Sequence, residues 1–246
     1  MASAKLLQEL LQAARQSAGS SHEVTRAQDA FFKALLKSTV YAHVPLDPPP
    51  PGRMRFAQFV RPDNGQTVLP FFSDREQAEF AAGNVRAIIA MAGRELLEQT
   101  RGATLMLNPN VDQIVLYPPE VDALLAGQSI GTFSKEVMTG SEQVGACPPS
   151  CPTDELTSTL RKCFATEPLV RAAYLVELHR GPEFADISLL LGLVVATAHH
   201  ERLLQLTTLW LRNALKDWSM PLSILLCNPD EKLPEIFHQG IQFYGT

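Results

Sequence analysis

Ile187-Ser188-Leu189-Leu190-Leu191-Gly192-Leu193-Val194-Val195-Ala196 is the stretch that decides the fold. It lies in the longest apolar run of the chain, Ile187 to Ala198, which only Ser188 and Thr197 interrupt. A run this short cannot cross a bilayer, which takes about 20 residues as helix. It reads instead as a strand at the centre of a sheet, covered on at least one face. Val170 to Leu178 is strand-like as well, and Gly181-Pro182 turns the chain between the two. Upstream, a helix is expected from Thr153 to about Ala165, with Asp154 and Glu155 suiting its positive end. Downstream, a long helix is expected over about His199 to Asp217, with Leu203, Leu206, Trp210 and Ala214 inward. Leu222 to Cys227 reads as a third strand, ended by Asn228-Pro229-Asp230, and the tail Leu233 to Gly245 is expected to hold one short turn. The order α-β-β-α-β predicts a small α+β domain with helices on one sheet face.

The first half follows a different rhythm. Leu6, Leu7, Leu10, Leu11 and Ala14 fall at helical spacing, and Gln8, Glu9, Gln12 and Arg15 break them up, so an amphipathic helix is expected and no signal peptide. Ser20 and Glu23 suggest a capping box for a second helix bearing Val24, Ala27, Phe31 and Leu35. Thr39 to Val44 reads as a strand, and the prolines of Pro45 to Gly52 as an exposed polyproline connection. Met54 to Val60 and Thr67 to Phe72 flank Pro62-Asp63-Asn64-Gly65, a hairpin signal. A second box, Ser73 to Glu76, opens a short helix ending at Gly83. Then come strand-like Val85 to Ile89, a helix over Met91 to Gln99, strands Ala103 to Leu107 and Gln113 to Leu116, and a helix begun by Pro118-Pro119-Glu120 that stops before Gly127. From Ser129 to Pro152 periodicity vanishes among glycines and prolines. The expectation is an α+β chain of two small domains, each a mixed or antiparallel sheet with helices packed on it. They occupy 1–130 and 153–246, with a Gly/Pro-rich linker over 131–152.

Composition narrows the function. The 246 residues are 46% hydrophobic and 19% charged, which is globular. Lysine and arginine number 21 against 26 acidic residues, a net charge of −5, which gives no general attraction to nucleic acid or anionic lipid. Cys163 and Cys227 sit among apolar residues and read as buried. Cys147-Pro-Pro-Ser-Cys151 is the one close pair; zinc needs four ligands and no second pair exists, so the expectation is two thiols in a flexible loop and no metal or cofactor. No phosphate loop, nucleophile elbow or His-Glu-x-x-His helix occurs.

Three groups remain as candidate sites. His199-His200-Glu201 combines two imidazoles with a carboxylate, but neighbours on a helix diverge by about 100°, so the three do not share a face. His179 and Glu177 share a strand face, expected to be solvated. Arg53, Arg55 and Arg61 interleave with Phe56 and Phe59, an arrangement weighed against the acidic whole and favouring a protein or small-anion contact over nucleic acid. Arg53, Arg55, Arg61, His199 and His200 are therefore the interaction candidates, with no catalytic residue.

Leu69-Pro70-Phe71-Phe72-Ser73 resembles the Leu-Pro-x-Phe-Thr/Ser segment of the enhanced-serine-sensitivity SseB family. Gly102 to Pro109, followed by Pro119-Glu120, resembles its Gly-x-x-Leu-x-Leu-Asn-Pro segment and helix start. Val170 to Leu178, the apolar strand from Ile187 and the terminal Phe243-Tyr244 are similar to its C-terminal domain. The resemblance implies a bacterial cytoplasmic protein with two α+β domains and implies no catalytic residue. The expected function is a non-enzymatic binding or regulatory protein acting through a protein partner or self-association, with no membrane and no nucleic acid. The alternative is a protein binding a small amino-acid-related metabolite, or a weak enzyme, linked to serine sensitivity.

Overall fold

A computed structural model of the chain describes residues 4–16, 21–47, 54–83, 85–130, 144–214 and 220–245. The expected Ser20 cap, most of the proline connection and Arg53 lie outside them. The chain divides into two compact units, Met1–Ile130 and Gly131–Thr246, each with its own sheet.

In the first unit, α1 (Ala4–Gln16) and α2 (Ser21–Lys37) pack on each other and bury Leu7, Phe31, Phe32 and Leu35. The sheet runs β4 (Ala87–Ala92), β1 (Thr39–Val44), β3 (Thr67–Phe72), β5 (Leu105–Leu107), β6 (Ile114–Leu116), and β2 (Phe59–Val60) pairs with the start of β3. Among the described residues of this unit, only β3 and β5 pair in parallel. The helices are α3 (Arg75–Ala82), α4 (Gly93–Gln99) and α5 (Pro118–Leu125). The hairpin strand expected from Met54 shortens to its last two residues, and Gly65 closes the turn at φ 71°. The α3 cap falls on Asp74, whose carboxylate accepts the Gln77 amide at 3.0 Å, one residue later than the box read from Ser73. Gly93 is required at the end of β4, because a Cβ there would lie 2.2 Å from the Leu35 carbonyl oxygen.

Ser73 is withdrawn from capping because Asn108 holds it. The Asn108 side chain accepts the Ser73 amide at 2.9 Å and donates to the Ser73 hydroxyl at 2.9 Å and to Asp112 at 2.6 Å. Its backbone amide donates to the Phe71 carbonyl at 2.8 Å, and its φ of 47° is one that asparagine tolerates. These bonds tie the end of β3 to the end of β5, the two strands that carry the motif segments quoted above.

In the second unit, α6 (Asp154–Ala165) precedes β8 (Ala172–Arg180) and β9 (Asp186–Val194), which pair antiparallel over their full length. Helix α7 begins at His200 and is described to Ala214, and β10 (Leu222–Cys227) pairs parallel to β9. The tail holds the expected short turn, over Glu235–Gln239, and also adds the antiparallel strand β11 (Ile241–Gly245) along Ala172–Leu175 of β8. On the same edge of β8, β7 (Gly145–Cys147) pairs with Glu177–His179. So the end of the stretch read as linker is sheet. One sheet face packs Leu175, Leu189, Leu191 and Leu193 against Leu156, Leu160 and Phe164 of α6 and Leu203 of α7. The other packs Val176, Leu178 and Leu190 under Phe237, which sits on a 3₁₀ turn (Glu235–Gln239). Gly192 makes room for that ring: a Cβ there would meet it at 2.4 Å.

His43 on β1 is 1% exposed. Its Nε2–H donates to the Ala78 carbonyl at 2.9 Å, its ring lies 4.8 Å from that of Phe72, and Nδ1 has no partner. Burial above all, with Arg86 assisting, pushes its pKa below the ordinary imidazole value, and the bond to Ala78 opposes. Below about pH 6.5 the unfolded chain therefore takes up a proton at His43 that the folded chain refuses, so stability falls with falling pH. One such group contributes at most about 1.4 kcal/mol per pH unit. Urea unfolding of wild type and His43→Gln at pH 7.5 and 5.5 should show a smaller loss in the variant.

Candidate functional site

The pairing of β7 with β8 sets Cys147 opposite Glu177 and Gly145 opposite His179. Side chains two residues apart on a strand share a face. Glu177 and His179 therefore extend the face of Ala173 and Leu175 that the helices cover. The result is a polar cluster at the edge of an apolar core. His179 Nε2 lies 2.9 Å from Glu177 Oε1 and 3.5 Å from Cys147 Sγ, and Cys147 Sγ lies 3.9 Å from the same Oε1. Glu177 Oε2 accepts the Ser150 backbone amide at 2.8 Å and its hydroxyl at 2.7 Å.

Glu177 is 1% exposed, so this strand face is not solvated as the sequence suggested. The two Ser150 bonds hold its carboxyl below the usual carboxylate range; burial opposes them and His179 assists. Burial and the neighbouring Glu177 charge push the Cys147 thiol up. Cys147 is thus a strand residue rather than a loop thiol. Cys151 is turned elsewhere, its Sγ 3.9 Å from Met220 Sδ.

This arrangement is not a nucleophilic relay. A relay needs one imidazole nitrogen on the thiol and the other on the carboxylate. Here both contacts fall on Nε2, and burial with the Glu177 charge disfavours the thiolate. What the cluster does offer is one sulfur, one oxygen and one nitrogen donor within 4.8 Å of one another, a set suited to a metal ion.

The interaction candidates fall in both units. Arg61 is 9% exposed and forks onto Asp63, with Nη2 to Oδ2 at 2.6 Å and Nε to Oδ1 at 3.0 Å. Arg55 is exposed and Arg53 lies outside the described residues. In the second unit, His200 Nε2–H donates to the Val195 carbonyl at 2.9 Å, joining the end of the β9 segment to the start of α7. His199 ends the short 3₁₀ turn before it.

The first unit contributes a groove of about 150 Å³. Phe32, Leu36 and Leu124 give it an apolar floor, and Asp29, Lys33, Lys37 and Arg94 line it with both signs of charge. Its sheet also ends on an unusual edge. Strand β4 reads Ala-Ile-Ile-Ala-Met-Ala, without charge or proline, and among the described residues no strand pairs with its outer side. Phe80 and Val85 nearby in sequence are 84% and 72% exposed.

The profile of the SseB protein N-terminal domain matches residues 7–123. Protein SseB of Escherichia coli (strain K12) is 28% identical over 190 residues, which covers 72% of this chain and 70% of that protein. These matches support membership of the SseB family. Protein SseB of Shigella flexneri matches to the same extent. Coverage of 72% exceeds the first unit, so the likeness continues into the second. No solved structure matches. The profile takes in Ser73 and Asn108 and ends before Cys147, Glu177 and His179. Among the described residues no helix is long and apolar enough to cross a membrane.

Alkylation of the full chain by iodoacetamide, read peptide by peptide, checks the electrostatics of the cluster. The pH of half-maximal reactivity at Cys147 should fall in Glu177→Gln, because the raising charge is gone. An unchanged or higher value would mean the two groups do not interact.

Proposed function

We propose that the protein is a non-enzymatic, cytoplasmic binding and regulatory protein that acts by receiving an extended apolar segment of a partner protein on the outer edge of β4. The observation that supports this reading is that edge. Sheets generally protect an outer strand with charge, proline, a bulge or a covering element, because unpaired amides and carbonyls invite another strand. Six uncharged residues with Ala90 and Ala92 exposed carry none of the side-chain protections. Strand addition supplies affinity through main-chain bonds and specificity through alternate side chains. Strand β10 also ends a sheet, but Leu222, Ile224, Leu225 and Leu226 pack into the two cores of its own unit.

Ala90→Lys puts a charge on the edge at an exposed position, where surface substitutions stay within about 0.5 kcal/mol of wild type. The variant should melt with wild type and lose the partner that a wild-type column retains. Equal capture on both columns contradicts the reading.

The groove supports a second reading, an amino-acid-sized ligand. Lys33, Lys37 and Arg94 suit a carboxylate and Asp29 an ammonium group. Serine at 100 times its dissociation constant should then stabilise the chain by about 2.7 kcal/mol in a thermal-shift series. A flat series across the small amino acids removes this reading.

A further inference from the structure

Burying a carboxylate is costly unless donors or a cation meet it. Ser150 satisfies Oε2 of Glu177 and leaves Oε1 facing Cys147 and His179. Those three donor atoms stand 2.9, 3.5 and 3.9 Å apart. Zinc takes sulfur at about 2.3 Å and nitrogen or oxygen at about 2.0–2.2 Å, so ligand atoms of a tetrahedral site lie about 3.3–3.6 Å from one another. The observed separations fall within about half an ångström of those edges.

We infer that Cys147, Glu177 and His179 form a binding site for a divalent transition-metal ion of the zinc class, with Ser150 orienting the carboxylate and water completing the coordination. The donor set selects this class, since thiolate with imidazole suits zinc and not magnesium or calcium. Charge balance favours it too. A dipositive ion, one thiolate and one carboxylate sum to zero, so the buried anion becomes part of a neutral group. Ligation takes Cys147 as the thiolate, releasing its proton, and the imidazole binds through Nε2 with its hydrogen on Nδ1. All three ligands stand on paired strands, and the half-exposed His179, at 27%, leaves a way in. Occupancy would pin β7, and with it the chain before α6, to the sheet. This site is independent of the β4 edge, in the other unit, and either reading stands if the other fails.

The test is a titration of the reduced full chain with zinc against a chromophoric chelator, and with cobalt(II) followed by absorption. One ion per chain is expected, with the intense visible bands of tetrahedral cobalt and a near-ultraviolet thiolate-to-cobalt charge-transfer band. Cys147→Ser should abolish that band, and Cys147→Ser and His179→Gln should each weaken zinc binding by more than about 100-fold, beyond the usual range for loss of an outer-shell partner. Ser150→Ala should weaken it about 10–100-fold. Cys151→Ser should leave it unchanged. Absence of stoichiometric zinc from wild type, or unaltered affinity in Cys147→Ser, overturns the inference. Should Cys147→Ser not fold, the wild-type cobalt spectrum decides: weak octahedral bands without charge transfer refute the site.

Discussion

The second unit is organised around one buried carboxylate. Glu177 lies on a face of β8 otherwise given to the core, and an anion there must be met or it destabilises the fold. Ser150 meets one oxygen with two donors, and His179 and Cys147 meet the other. That requirement fixes the path of the chain from β7 to α6. Cys147 has to pair opposite Glu177, and Pro148-Pro149 has to bring Ser150 back over it within three residues. The edge of β8 is thereby divided, with β11 on its first half and β7 on its second.

The first unit depends on a comparable polar tie. Asn108 takes a left-handed backbone and spends its side chain on Ser73 and Asp112, locking the parallel pair β3–β5 at its exit. Parallel strands have no short hairpin to hold them in register, so a side-chain lock of this kind does that work. It also gives the Leu-Pro-x-Phe-Ser and Leu-Asn-Pro segments a physical meaning: they are the two halves of one joint.

Much of this was legible in the sequence where local patterning and burial agree. Strands Thr39–Val44 and Leu222–Cys227 and the helix ending at Ala165 stand where β-branching, apolar runs and end signals put them. The α+β class and two sheets followed from the alternation of elements. Two short strands were not legible. Gly145–Cys147 has no periodicity of its own and is strand only because β8 offers it an edge. Ile241–Gly245 carries a register shift between Gln242 and Tyr244 that blurs its alternation. The cluster was hidden for the same reason. Glu177 with His179 was visible as a strand pair and Cys147 as a thiol, but their meeting spans 30 residues and depends on a pairing that no local signal announces.

The cluster depends most heavily on that pairing, and amide hydrogen exchange resolved to single residues over 144–150 reads it directly. The Ser150 amide, bonded to Glu177 at 2.8 Å, and amides within Gly145–Cys147 should exchange far more slowly than an open chain. Exchange at the open-chain rate throughout this stretch would contradict the joined cluster and the constraint built on it.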